Sequence, residues 1–248
     1  PLFGLLPFLR VLTQRTRYQD GGGLEGLMAA AAADGVDDRQ DADILTISGT
    51  DHWRRAAVIR DGRFWLGLIW LTMVPGFTIT GILFHQLYLA ELAGVSMASW
   101  AAHYVVYAAC AVIGTLVSGQ LVDRFGGRQV AAHMMLPITL ACVALWLIEG
   151  QAGVFLFFVF FGLAAGMPGT AVTAAMAELY GTRYLGEVKA IIMPLGVFSS
   201  ALSPMTMGLL IDLGYGMGVL MLLNIALALL AQVGGIMMLG RPPRLTIS

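Results

Sequence analysis

The densest cluster of chemistry-bearing residues is the run Gly119-Gln120-Leu121-Val122-Asp123-Arg124-Phe125-Gly126-Gly127-Arg128, which sets three charges and three glycines between two apolar stretches. No nucleophile stands beside a base here, so the chemistry on offer is electrostatic and conformational. Glycine supplies the backbone angles of a tight turn. Asp123, read as lying beside the start of a helix, meets the positive end of the helix dipole, worth about 0.3–1 kcal/mol when exposed. The arginines fix which side of a membrane such a turn occupies.

Further candidates lie inside the apolar stretches. Thr78, Gly81 and His85 share one helical face, and His103, Tyr107, Cys110 and Gly114 share another. The imidazole of His85 can relay a proton or hydrogen-bond a carboxylate; a packed or solvated histidine is the competing reading. At about 1.5 Å per residue it falls near the far mouth of its helix rather than at the middle. The hydroxyls of Thr170 and Thr173 can face a solute or bond their own backbone. His133 reads as a boundary residue. An enzyme within a membrane needs paired carboxylates, a serine–histidine pair or clustered histidines on adjacent faces, and the sequence presents none. No cofactor and no metal are expected, because the acidic cluster Asp34, Asp37, Asp38, Asp41 and Asp43 lacks the glycine and spaced ligands of a calcium loop. Cys110 and Cys142 sit within apolar runs, as small hydrophobes rather than a disulfide.

Composition says what must position these residues. The 248 residues are 58% hydrophobic and 12% charged, against roughly 25% charged in soluble domains. A net charge of −1 argues against a nucleic-acid partner. Six apolar segments, 64–90, 100–122, 130–148, 153–177, 190–211 and 216–239, are each long enough to span, since a hydrocarbon core of about 30 Å takes ~20 helical residues. The fold class expected is an all-α integral membrane bundle of six transmembrane helices. With six spans, all fourteen lysines and arginines fall on one side, while the opposite connections carry only Glu91, Glu149 and Asp212. The positive-inside rule makes the basic side cytoplasmic and places both ends of the segment there, in a multi-pass protein of the cell membrane. Thirteen arginines to one lysine point to a GC-rich bacterial genome, hence an inner membrane.

Residues 1–63 read as a cytoplasmic loop. Residues 1–9 look like the end of a preceding helix, and the chain, which starts without methionine, reads as a fragment. A polar linker with Gly21-Gly22-Gly23 follows. A short basic surface helix is expected over about 51–63, capped by Thr50-Asp51, with Trp53, Ala56, Ala57 and Arg60 at helical spacing. The transmembrane domain takes 64–240 and a cytoplasmic tail 241–248. Within the spans, Gly162, Gly166, Thr170 and Ala174, and again Gly196, Ser200, Pro204 and Gly208, make stripes of small residues that let backbones approach closely. Pro75, Pro137, Pro168, Pro194 and Pro204 disturb backbone hydrogen bonding within the spans, which neighbouring helices or a cavity must then make good.

With these features in place, the chain resembles the major facilitator superfamily (MFS), in its C-terminal six-helix half. Gly119, Asp123, Arg124, Gly126 and Arg128 match that family's hairpin signature, whereas Gly127 and Gln129 stand where many members carry a basic residue. A second match is Glu178-Leu179-Tyr180-Gly181-Thr182-Arg183-Tyr184-Leu185-Gly186, and a third is Gly208 with Asp212 and Gly214. The set is similar to the bacterial monocarboxylate-porter and oxalate/formate-antiporter branches. The resemblance implies one half of an MFS-type bundle, partnered by membrane lipid and by an N-terminal six-helix half. It implies secondary active transport of a small-molecule substrate by alternating access: a monocarboxylate or other small organic anion, proton-coupled or exchanged. Efflux of drugs or neutral solutes by the same fold and a non-transporting scaffold or sensor are the alternatives. In the family, the equivalent of Asp123 engages a helix end in the opposite half. Arg124 or Arg128 pairs with an acid, here Glu178, and Arg183 belongs to the same gating set. Thr170 and Thr173 fall on a cavity-lining span, with Thr78, His85 and Tyr107 as further substrate-pathway candidates. One departure stands out: no basic residue lies in mid-membrane, where carboxylate porters often place one.

Overall fold

Lipid provides no partner for a backbone amide or carbonyl, so a long apolar segment can cross it only by closing its hydrogen bonds internally, as a helix. The computed structural model describes residues 44–47 and 50–239. Its six long apolar helices are α2 (Phe64–Phe84), α4 (Met97–Phe125), α5 (Gly127–Leu147), α6 (Gly150–Tyr180), α7 (Leu185–Asp212) and α8 (Met217–Leu239). Two four-residue strands, β1 (Ile44–Ile47) and β2 (Thr50–Trp53), and a short helix α1 (Arg55–Ile59) precede them; α3 (Gln86–Leu92) follows α2. Residues 46–248 belong to one compact unit, and of the other, 1–45, only Ile44 and Leu45 are among the described residues. The expected helix end at 1–9, the polar linker, the acidic cluster and the tail at 241–248 all lie outside the described residues.

The surface helix expected over about 51–63 is much shorter. Thr50–Trp53 is extended, and the helix runs only from Arg55 to Ile59. Asp61 interrupts it: its carboxylate accepts the Arg63 backbone amide at 3.0 Å and binds the Arg63 guanidinium at 2.9 Å. This is the geometry of a helix N-cap, so Asp61 starts a new helix instead of continuing the old one. The indole of Trp65 donates to the Ile59 carbonyl at 2.7 Å and closes the corner.

The pairing of the spans is ordered. α4 packs on α6, α7 on α2, α5 on both α6 and α8, and α8 on α2. Exchanging α2, α4 and α5 for α6, α7 and α8, in that order, maps these pairings onto themselves. α2 starts at the arginine-rich end and α6 finishes there, so the two three-helix units are related with inverted direction.

Each of the two main seams joins its helices by small residues and by hydroxyls. On the α4–α6 seam, a Cβ on Gly162 would stand 2.5 Å from the Tyr107 carbonyl oxygen, and one on Gly114 would stand 2.6 Å from that of Leu163. α6 breaks at Met167–Pro168, where proline has no amide hydrogen. Beside the break, the hydroxyls of Thr115 and Ser118 donate to the carbonyls of Gly166 and Met167 at 3.1 and 3.2 Å. On the α2–α7 seam, Ser199 and Ser203 donate to the carbonyls of Met73 and Phe77 at 2.9 and 2.5 Å. The two seams occupy corresponding places in the exchanged units, and each sets two hydroxyls of one span on two carbonyls of the other. Such bonds contribute about 0.6 kcal/mol each in membrane proteins.

Candidate functional site

The hairpin between α4 and α5 turns at Gly126, whose φ of +87° and ψ of 151° suit glycine alone. α5 then begins with Gly127, pressed so closely on α6 that a Cβ would stand 2.5 Å from the Ala174 carbonyl carbon and 2.6 Å from the Ala175 nitrogen. The departure at Gly127 thereby has a physical reason: no basic side chain fits there in this packing.

Glu178, near the end of α6, accepts the backbone amides of Gly127 and of Arg128, the latter at 3.1 Å. Those amides are among the four that a helix start leaves without intrahelical partners, and a carboxylate there also meets the positive end of the dipole. The Arg128 side chain crosses to the end of α8, where Nε and Nη2 donate to the Leu239 carbonyl at 3.0 and 2.7 Å. A cation at a helix C-terminus satisfies an orphan carbonyl and the dipole together. Glu178 and Arg128 therefore fasten three spans at the arginine-rich end.

This corrects two expectations. Glu178 meets its partner through main-chain amides, and no ion pair joins it to Arg124 or Arg128 among the described residues. Asp123 does not lie at a helix start; it occupies the last turn of α4, exposed, and the capping role falls to Glu178. A carboxylate in that position opposes the helix dipole. Gly119, one turn earlier on the same face, has no heavy atom within 4 Å of a Cβ built on it. Arg124 lies over the ring of Phe125, 5.3 Å from its centroid.

Arg183 lies in the connection after α6, which is fastened to the segment before the first span. Its amide donates to His52 Nδ1 at 3.4 Å, and its guanidinium lies 5.8 Å from the Tyr184 ring centroid. The Arg54 guanidinium lies 5.3 Å from the same centroid, and Trp53 packs on Tyr180 with ring centroids 5.6 Å apart.

The pathway candidates divide. His85 caps the end of α2 and its Nε2 donates to the Pro204 carbonyl at 3.0 Å, with Gly208 beside the ring. Tyr107 packs on Phe161, with centroids 5.6 Å apart, inside the α4–α6 seam. Thr78 is fully buried, and its hydroxyl has no hydrogen-bond partner among the described residues. Thr72, Thr115, Thr139 and Thr206 all bond the carbonyl four residues back. Thr170 and Thr173, both half-buried just past the break in α6, make no such bond among the described residues. His85 thus sits on the α2–α7 seam and Tyr107 on the α4–α6 seam, so the structure does not gather these two at one place.

Sequence reasoning missed Asp61, the hydroxyls of Ser118, Ser199 and Ser203, and the Leu239 carbonyl. The Asp61-Gly62 pair was a legible capping signal. A backbone acceptor such as Leu239 has no signature in residue type.

A search of curated proteins finds no match to the chain. The family model of the Major Facilitator Superfamily matches residues 47–204, well over half of the sequence and including the hairpin and the Glu178 connection. Six apolar helices paired as two inverted three-helix units, with a glycine-turned charged hairpin at the arginine-rich end, are consistent with that match: the chain belongs to the Major Facilitator Superfamily.

Proposed function

We propose that this multi-pass membrane transporter moves a small solute by secondary active transport, with Gly119, Asp123 and Arg124 forming the face that locks and releases against a second six-helix half. The observation that carries the reading is Asp123. It is exposed in the last turn of α4, where it opposes the helix dipole, and Gly119 leaves open space on the same face. A helix N-terminus arriving at that face would reverse the penalty, because its positive end attracts a carboxylate. Making and breaking such a contact gives two states of similar energy, as alternating access needs. α4 and α7 are the least buried of the six spans, consistent with a second half covering them. Glu178, Gly126 and Arg128 hold the hairpin in shape, and Arg183 anchors the neighbouring connection.

The solute is taken to be a small organic anion of the monocarboxylate class, met by neutral donors such as Thr170 and Thr173. A second reading, a neutral or weakly polar solute carried outward, is favoured by the placement of charge: the arginines and lysine of the described spans sit at helix ends. The arginine-rich end is assigned to the cytoplasm by the positive-inside rule. The test is flux of a labelled panel of carboxylates and neutral solutes by the protein in its native membrane, with and without a proton gradient. Gradient-dependent flux that falls in Asp123→Asn at matched membrane levels supports the reading. Flux of no solute, or full flux in Asp123→Asn, counts against it.

A further inference from the structure

A groove of about 320 Å³ opens between α4, α5 and α6 at the arginine-rich end, with Leu121, Phe125, Gln129, His133, Pro137 and Met167 among its walls. That volume is at the low end of the roughly 300–1,000 Å³ typical of ligand sites. Its depth follows from α5. Gln129 to Pro137 at ~1.5 Å per residue is about 12 Å, less than half of a ~30 Å hydrocarbon core. The groove therefore reaches through one leaflet only.

Polarity is graded along it. Leu121, Pro137 and Met167 make the deeper part apolar, while Gln129 and His133, both exposed, stand nearer the helix end. His133 Nδ1 bonds the Gln129 carbonyl at 2.9 Å, leaving Nε2 without a partner among the described residues. The Arg124 guanidinium lies over Phe125, which is itself a wall of the groove. No carboxylate lines it among the described residues. Asp123, two residues from both Leu121 and Phe125, belongs to the opposite face of α4. Glu178 is committed to the amides of Gly127 and Arg128.

We propose that this groove holds an acyl chain of one anionic phospholipid from the leaflet at the arginine-rich end, with its phosphate met by Arg124, by the Gln129 amide and, through Nε2–H of the doubly protonated imidazole, by His133. An apolar slot alone takes any lipid tail; the basic rim selects the anionic headgroup. The proposal needs only that the protein spans a membrane and is independent of the solute; it shares Arg124 with the gating face, and lipid retention is read without any assay of transport.

The test uses the protein equilibrated with vesicles of equal phosphatidylglycerol and phosphatidylcholine, then extracted and weighed by native mass spectrometry. One retained phosphatidylglycerol is expected in about fivefold excess over phosphatidylcholine, the scale of one basic side chain at an anionic surface. The double variant Arg124→Gln/His133→Gln, changed only at exposed side chains, should bring the two lipids to parity. Lys189→Gln, a basic residue at the same end but outside the groove, should keep the excess. Leu121→Trp, which narrows the slot, should lower retention of both lipids. A photoreactive side chain at position 129 should give a lipid adduct in native membranes. Parity in the unmodified protein, an equal loss in Lys189→Gln, or an adduct to a polypeptide segment overturns the proposal.

Discussion

The two faces of one hairpin behave differently. On the inner face, Gly126, Gly127 and Arg128 are held by Glu178 and Leu239, with no room for a Cβ at Gly127. On the outer face, Gly119 and Asp123 touch nothing among the described residues that explains their type, and Asp123 sits where the local dipole disfavours it. Stability alone accounts for the inner set. It does not account for the outer set, which local consistency would replace with alanine and a neutral or basic residue. A ten-residue stretch thus holds a structural clasp and, one helical face away, residues placed for something else. Substitutions on the two faces should therefore change stability with opposite sign.

The largest effect is expected at Gly127. Gly127→Val drives a branched side chain into the α6 backbone, and overpacking of this kind costs about 1–3 kcal/mol or more. Midpoints of thermal unfolding in detergent should fall sharply, with low membrane yield. A midpoint within a degree of the unmodified protein would show that α5 and α6 do not press together there. Glu178→Ala comes next. It strips two amides of a charged acceptor, at a cost of about 0.5–2 kcal/mol. Glu178→Gln, which keeps an acceptor oxygen, should recover part of this loss. Should Glu178→Gln fall as far as Glu178→Ala, charge rather than hydrogen bonding is what holds the clasp. Arg128→Leu, which frees the Leu239 carbonyl, should lose about 1–2 kcal/mol and raise amide hydrogen exchange at the end of α8.

Much of the fold was legible in advance, and the reason is the bilayer. The requirement for ~20 apolar residues per crossing marks spans more plainly than any soluble helix is marked. The expected segments 64–90 and 216–239 accordingly lie close to α2 and α8. The faces of α4 were also legible, since Tyr107, Cys110 and Gly114 do pack toward α6. The site was half legible. The family resemblance named Glu178 as the partner of Arg124 or Arg128 in the hairpin, yet the bonds that Glu178 and Arg128 make run to main-chain atoms. A capping carboxylate and an ion-paired one look alike in a sequence. Asp123 was misplaced for the same reason: a turn of one residue decides whether an aspartate ends one helix or begins the next, and boundaries are the least determined feature of any pattern.

The smallest and most discriminating effects belong to the outer face. Gly119→Ala fills open space in a helix interior and should raise stability by up to about 0.5–1 kcal/mol. Asp123→Asn removes a charge that opposes the dipole and should raise it by about 0.3–1 kcal/mol, less in high salt. Both gains are expected in the six-helix chain by itself. With the proposed second half present they should shrink or reverse, because that half, docked on this face, would lose a carboxylate contact and meet an added methyl group. Comparing the unfolding midpoint of each variant in the two contexts isolates that term without any assay of transport. Equal gains in both contexts would mean that nothing docks on Gly119 and Asp123, and the outer face would then be only a solvated helix end.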